Sequence, residues 1–143
     1  MKEAVLTVQL SELRKGKLLP EIVRVITQEN INLYAKASKD LNPIHVDEDF
    51  ARKAPLKGTV AHGMLVLAYV SQMMTAAFGQ SWLVGGQLDV RFKNPARPGD
   101  TLTISGKIHD IDKNEVRTLI NCDVRCRNQR DESIIIGTAK VTV

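Results

Sequence analysis

Cysteine is scarce in this chain, aromatic side chains are few, and neither sign of charge dominates. There are two cysteines in 143 residues, Cys122 and Cys126, both inside "TLINCDVRC". Ile120, Cys122, Val124 and Cys126 alternate with Asn121, Asp123, Arg125 and Arg127, the period-two pattern of a half-buried strand. Both thiols then face the apolar side, roughly 13 Å apart at ~3.3 Å per residue. A disulfide needs Cα atoms within about 7 Å, so this pair is excluded as a bridge. No third cysteine and no histidine on that face completes a metal set. They read as core thiols in a reducing compartment.

Aromatic residues make up 4% of the chain and the formal charge is only +4. No aromatics are interleaved with basic residues, so the pattern of a nucleic-acid binder is missing. A charge of this size still permits contact with phosphates. Long hydrophobic runs are also lacking. From Gly58 to Leu88 only His62 and Tyr69 are ionisable, but Ser71, Gln72, Thr75, Gly79, Gln80 and Ser81 interrupt the stretch. Its helical part, about 17 residues, is at the short limit for a membrane span. It reads as a helix buried in protein. The N-terminal "MKEAVLTVQLSELRKGK" has no apolar core or small-residue cleavage site of a signal peptide. Internal repeats and Pro/Gly-rich linkers are absent as well. The expectation is one cytoplasmic domain over residues 1–143, long enough to bury a substantial share of its surface.

What is present is a clear order of elements. Residues 4–10, "AVLTVQL", and 21–26, "EIVRVI", read as short strands. Thr27 is placed as N-cap of a helix over "QENINLYAKAS", with Ile31, Tyr34, Ala35 and Ser38 on one face. Asn42-Pro43 forces a turn, because the residue before proline avoids the α region. "VDEDFARKA" reads as a second short helix, with Asp47 near its start. "HGMLVLAYVSQMMTAAFG" is apolar almost all round, predicting an enclosed helix with Gly79 as its C-terminal cap. Four strands follow, around residues 88–92, 101–108, 116–127 and 133–143, joined by hairpin turns that include "NPARPGD". The pattern predicts an α+β fold, with one curved antiparallel sheet wrapped around one long buried helix. Such a sheet leaves an edge, and pairing with a second copy would cover it.

Chemistry concentrates in "SKDLNPIHVDEDF", residues 38–50. Asp40 and His45 flank a proline turn, so their side chains can converge on one water as an acid–base pair. Asn42 can orient a ligand or simply cap the turn. Taken by residue type alone, a polar turn with a structural or exposed histidine is the plainer reading of the stretch. A second feature is "AHG", residues 61–63, which opens the buried helix. Unpaired N–H groups there suit an oxygen that becomes negative during reaction, and Gly63 leaves the approach open. The plainer reading is tight packing at Gly63, with His62 filling space.

Together, "ASKDLNPIHVDEDFARKA" and "GTVAHGML" resemble the hydratase-2 motif of the MaoC-like dehydratases, the (R)-specific enoyl-CoA hydratase family of hot-dog proteins. Asp40, Asn42, Pro43, His45, Asp47, Ala51, Ala61, His62 and Gly63 carry the likeness, and "VRFKNPARPGDTLTISGKI" extends it across the domain. The resemblance implies syn addition of water to a trans-2-enoyl thioester, or the reverse dehydration of an (R)-3-hydroxyacyl thioester. It makes Asp40 and His45 catalytic, Gly63 the donor to the thioester oxygen, and Asn42 and His62 positioning residues. Met64 and Leu67 become candidates for the acyl tunnel. No metal or redox cofactor is implied, because the thioester itself acidifies C2. The implied partners are acyl-CoA or an acyl carrier protein, met by Lys39, Arg52, Lys53 and Lys57, and a second copy in a homodimer or dimer-based oligomer. Other readings are a hot-dog enzyme on a branched or dicarboxylyl thioester, a thioesterase, or a non-catalytic acyl-binding subunit. A thioesterase would want a carboxylate on the central helix, and residues 63–88 hold none. One departure stands out. The family commonly has Gly just before the aspartate, where this chain has Lys39. That substitution implies a changed backbone at the start of the loop, with the ammonium expected in solvent.

Overall fold

The structure, a computed structural model, describes residues 8–143. The strand expected over 4–10 falls partly outside that range. Its described end is irregular and passes into a single 3-10 turn, Leu10–Glu12, so no strand forms there. The ordered elements are β1 (Ile22–Val25), α1 (Gln28–Ser38), α2 (Pro43–Val46), α3 (Glu48–Lys53), α4 (Gly63–Phe78), α5 (Gln80–Gly85), β2 (Gln87–Phe92), β3 (Thr101–Lys113), β4 (Thr118–Arg127) and β5 (Ser133–Thr142).

The five strands form one antiparallel sheet in the order β1-β3-β4-β5-β2. Alternation in β4 is as the sequence predicts: Ile120, Cys122, Val124 and Cys126 point inward and are buried. They meet Ile104 and Ile108 of β3 and Ile135 and Ala139 of β5 in a single core. Against that face lies α4, contributing Val66, Val70, Met73, Met74 and Ala77 at helical spacing. A sheet curled on one long helix is the expected α+β hot-dog architecture.

Three details differ from expectation. "NPARPGD" is not a hairpin turn. β2 pairs with β5 at one edge, whereas β3 lies between β1 and β4, so this loop is a crossover. The short helix α5 was not foreseen in a segment following Gly79. And α4 is not enclosed on every side within one chain, since Met64, Ala68, Gln72 and Ala76 lie along one exposed stripe. Among the described residues, no helix is long and apolar enough to cross a membrane.

Candidate active site

Asp40 lies in the loop between α1 and α2, and His45 lies on α2. α1 begins at Thr27, whose hydroxyl accepts from Asn30 N, and ends at Lys39, whose backbone turns left-handed at φ 62° and ψ 19°. That conformation satisfies the end of a helix but suits glycine better than lysine. The backbone at Lys39 therefore keeps a glycine-like shape, and its side chain is exposed as expected. The chain then swings into α2, capped by Asn42, whose side-chain oxygen accepts from Ile44 N at 3.1 Å. Pro43 occupies the first helical position, where its missing N–H costs nothing. Asp47 caps α3 by accepting from Phe50 N.

This turn brings Asp40 and His45 together. His45 Nε2 stands 4.0 Å from Asp40 Oδ2, too far for a direct hydrogen bond. A single water at ~2.8 Å from each atom spans that gap at an angle near 90°. The other ring nitrogen of His45 lies 2.7 Å from Val60 O. A carbonyl only accepts, so Nδ1 carries a hydrogen, and in the neutral imidazole the lone pair is on Nε2, the nitrogen nearer Asp40. The His45 side chain is largely buried, whereas the Asp40 side chain is 54% exposed in the single chain.

His62 lies beneath them and is buried. Its ring stacks on His45, with centroids 3.8 Å apart, and tilts against Tyr34 at 4.8 Å. Its Nε2 donates to Asp40 O at 3.0 Å, and its Nδ1 is buried without a partner among the described residues. The ring ties the start of α4 to the Asp40 loop. Donor atoms of Asp40, His45 and His62 lie within 4.8 Å of one another, close enough to raise the question of a metal. Their geometry is poor for one. The two imidazoles are stacked, so their in-plane lone pairs run side by side instead of converging on a common point.

Gly63 starts α4, and no side chain caps that helix. A Cβ there would stand 3.1 Å from Cε1 of Phe92, so the bare backbone faces an aromatic ring. Gly63 lines a cleft of about 280 Å³ with Ala61, Val66, Phe92, Asn94 and Ile134. Met64 is exposed and Leu67 partly buried, and neither lines this cleft in the single chain. The crossover loop forms its far wall. Ala96 O accepts from Ala61 N, and Asp100, buried, accepts from Arg97 N and Gln129 Nε2. The sequence does not mark Phe92 or this loop as walls of the site, because nothing in it shows a residue facing Gly63, 29 positions earlier.

The MaoC like domain family matches residues 11–130. A mitochondrial 3-hydroxyacyl-[acyl-carrier-protein] dehydratase of Arabidopsis thaliana is 32% identical over 126 residues, which cover 87% of this chain and 73% of that protein. An (R)-specific enoyl-CoA hydratase of Rhodospirillum rubrum is 34% identical over 82 residues, 57% of each chain. Among solved structures, an unliganded R-hydratase of Pseudomonas aeruginosa superposes with a TM-score of 0.78 at 26% identity, covering 92% of this chain and 82% of that one. A MaoC-like dehydratase of Rhodospirillum rubrum gives 0.80 at 26% identity, covering 94% of both. With the fold, the motif and the matched span in agreement, the chain belongs to the MaoC-like domain family.

Proposed function

We propose that this protein is a hydro-lyase that adds water to trans-2-enoyl thioesters to give (R)-3-hydroxyacyl thioesters, and runs the reverse dehydration. One observation carries the reading: Asp40 and His45 stand one water molecule apart, with His45 Nε2 the ring nitrogen nearer Asp40. In the hydration direction, His45 Nε2 takes a proton from that water as its oxygen bonds to C3. The C2–C3 π electrons move towards the thioester, whose oxygen becomes negative against Gly63 N–H. C2 then takes a proton from Asp40, on the same face as the incoming oxygen. Proton return from His45 to Asp40 restores the pair. The thioester supplies the acidity at C2, so no metal or redox cofactor enters the scheme.

Asn42 and His62 act as positioning residues, the first by capping α2 and the second by bracing Asp40 and His45. The exposed Lys39, Lys53 and Lys57 favour a substrate carried on an anionic group, either coenzyme A or an acyl carrier protein. β2 is an edge strand, with Phe92 exposed on it and Met64 exposed on α4. A homodimer formed there would cover that edge and turn Met64 and Leu67 into tunnel walls. The buried free thiols fit a reducing, cytoplasmic setting.

The test is hydration of crotonyl-CoA and a longer enoyl-CoA by wild type, Asp40→Asn and His45→Gln, followed by loss of enoyl absorbance. Each variant is expected to lose about 100-fold or more in kcat, the low end for a positioned acid or base. Full activity in both variants would sink the mechanism. Activity confined to carrier-protein esters would keep the reaction and reassign the carrier.

A further inference from the structure

The helix that carries His45 has little to hold it in place. α2 is four residues long and none of them is fully buried, although the His45 ring packs on His62. One turn of helix is unstable by itself, because nucleation costs more than a single turn returns. Yet a general base has to be placed to within a fraction of an ångström. Something outside α2 must fix it.

Three long-range polar contacts do so. Val60 N donates to Ile44 O at 3.2 Å, and His45 Nδ1 donates to Val60 O at 2.7 Å. The third comes from α1, where Gln28 Nε2 donates to His45 O at 2.8 Å. The same Nε2 lies 2.9 Å from Asn32 Oδ1, so both amide hydrogens are used. Because both contacts are to acceptors, the amide has one orientation, and Oε1 faces the other way. There it meets the hydroxyl of Thr59 at 2.7 Å. Thr59 is buried and immediately precedes Val60. Its Oγ1 also lies 3.1 Å from Glu48 Oε2, on the helix that follows His45. The contacts close a ring: Gln28 to His45, His45 to Val60, Val60 through the chain to Thr59, and Thr59 back to Gln28.

We infer that Gln28 and Thr59 are positioning residues for the hydration reaction, acting through His45 to hold its Nε2 lone pair on the water shared with Asp40. Neither residue touches the reacting atoms. Without the Thr59 hydroxyl, Gln28 Oε1 loses its donor, and the amide that bonds the His45 carbonyl is held from its Nε2 side alone. α2 can then drift, and with it the angle between Nε2 and Asp40. The inference rests on His45 being the base, so its test separates the two ideas.

Thr59→Val keeps the volume and removes the hydroxyl, Thr59→Ser keeps the hydroxyl, and Gln28→Met removes all three amide contacts at a half-buried site. The expected result is a loss of roughly tenfold in kcat for Thr59→Val and Gln28→Met, the scale of a modest misplacement of a reacting group. KM should stay within about twofold, and Thr59→Ser should restore kcat. The decisive comparison is in a His45→Gln background. There Thr59→Val should cost nothing more, because the residue it acts through is gone. The same tenfold loss on top of His45→Gln would overturn the inference, as would wild-type kcat in both Thr59→Val and Gln28→Met. If Thr59→Val does not fold, Gln28→Met alone decides by the same comparison. Full activity in His45→Gln itself would instead reject the assignment of His45, a separate failure.

Discussion

The imidazole of His62 lies face to face with that of His45, its plane inclined by 25°, and reaches past it to bond the carbonyl of Asp40. A buried ring thus links the face of the His45 imidazole to the backbone of Asp40. His62→Phe keeps the stacked surface and removes the bond to Asp40 O. It also removes the orphaned Nδ1, whose burial costs about 1–3 kcal/mol, against about 1 kcal/mol for the bond lost. The expected outcome is stability within about 1 kcal/mol of wild type by urea unfolding. Activity should still fall, because the Asp40 loop is no longer tied to α4.

Lys39 holds a left-handed backbone that costs a side-chain-bearing residue roughly 1–2 kcal/mol. Glycine removes that strain but gives back about 0.5–1 kcal/mol through its freer unfolded chain. Lys39→Gly should therefore stabilise the protein by about 0.5–1 kcal/mol. Activity on crotonyl-CoA should be nearly unchanged. A clear drop in the urea midpoint would show that the lysine side chain has a role the strain estimate omits.

At Gly63 an added methyl group would press on the ring of Phe92, which is half exposed and has room to give. Gly63→Ala should fold, with its gain in helix propensity offsetting part of the contact. Its amide would then sit slightly out of place for the thioester oxygen. We expect a loss of about tenfold in kcat, less than the ~100-fold or more for deleting such a donor outright. Steady-state kinetics beside a melting curve will separate the two effects.

Burial pushes the thiols of Cys122 and Cys126 up to about 12, with the Asp123 carboxylate adding to the effect at Cys122. The folded protein should therefore resist a thiol-specific disulfide reagent at pH 8, and both thiols should react after unfolding in urea. The sign for stability follows from the same displacement. Between about pH 9 and 12 unfolded thiols lose protons that folded ones keep, so stability falls as pH rises through that window. Below it the thiols contribute no slope. A urea midpoint that rises with pH above 9 in wild type, relative to a Cys122→Ala/Cys126→Ala variant, would contradict this.

Much of the site was legible in the sequence because it is local. Asp40, Asn42, Pro43 and His45 lie within one turn of chain, and Thr27 and Asp47 cap helices through their own neighbours. The inward thiols followed from strand alternation in the same way. What stayed hidden depends on long-range pairing. Gln28 meets Thr59 across 31 positions, and Asn94–Asp100 reads as a hairpin turn until β2 is seen beside β5. The stripe of α4 left open by the single chain was hidden for another reason. Apolar character all round a helix says that it is covered, not whether its own chain or another copy does the covering.

α2 buries little beyond the His45 ring, so the proposed base sits on a single turn held by hydrogen bonds and by its stack on His62, not by the apolar core. The sheet and α4, in contrast, share the apolar core. Warming or mild denaturant should release the turn while the core stays intact, because local openings cost less than global unfolding. Loss of catalysis would then precede loss of sheet signal, and rapid cooling would restore it. The melting temperature of the protein and the temperature at which it stops working would be two different numbers.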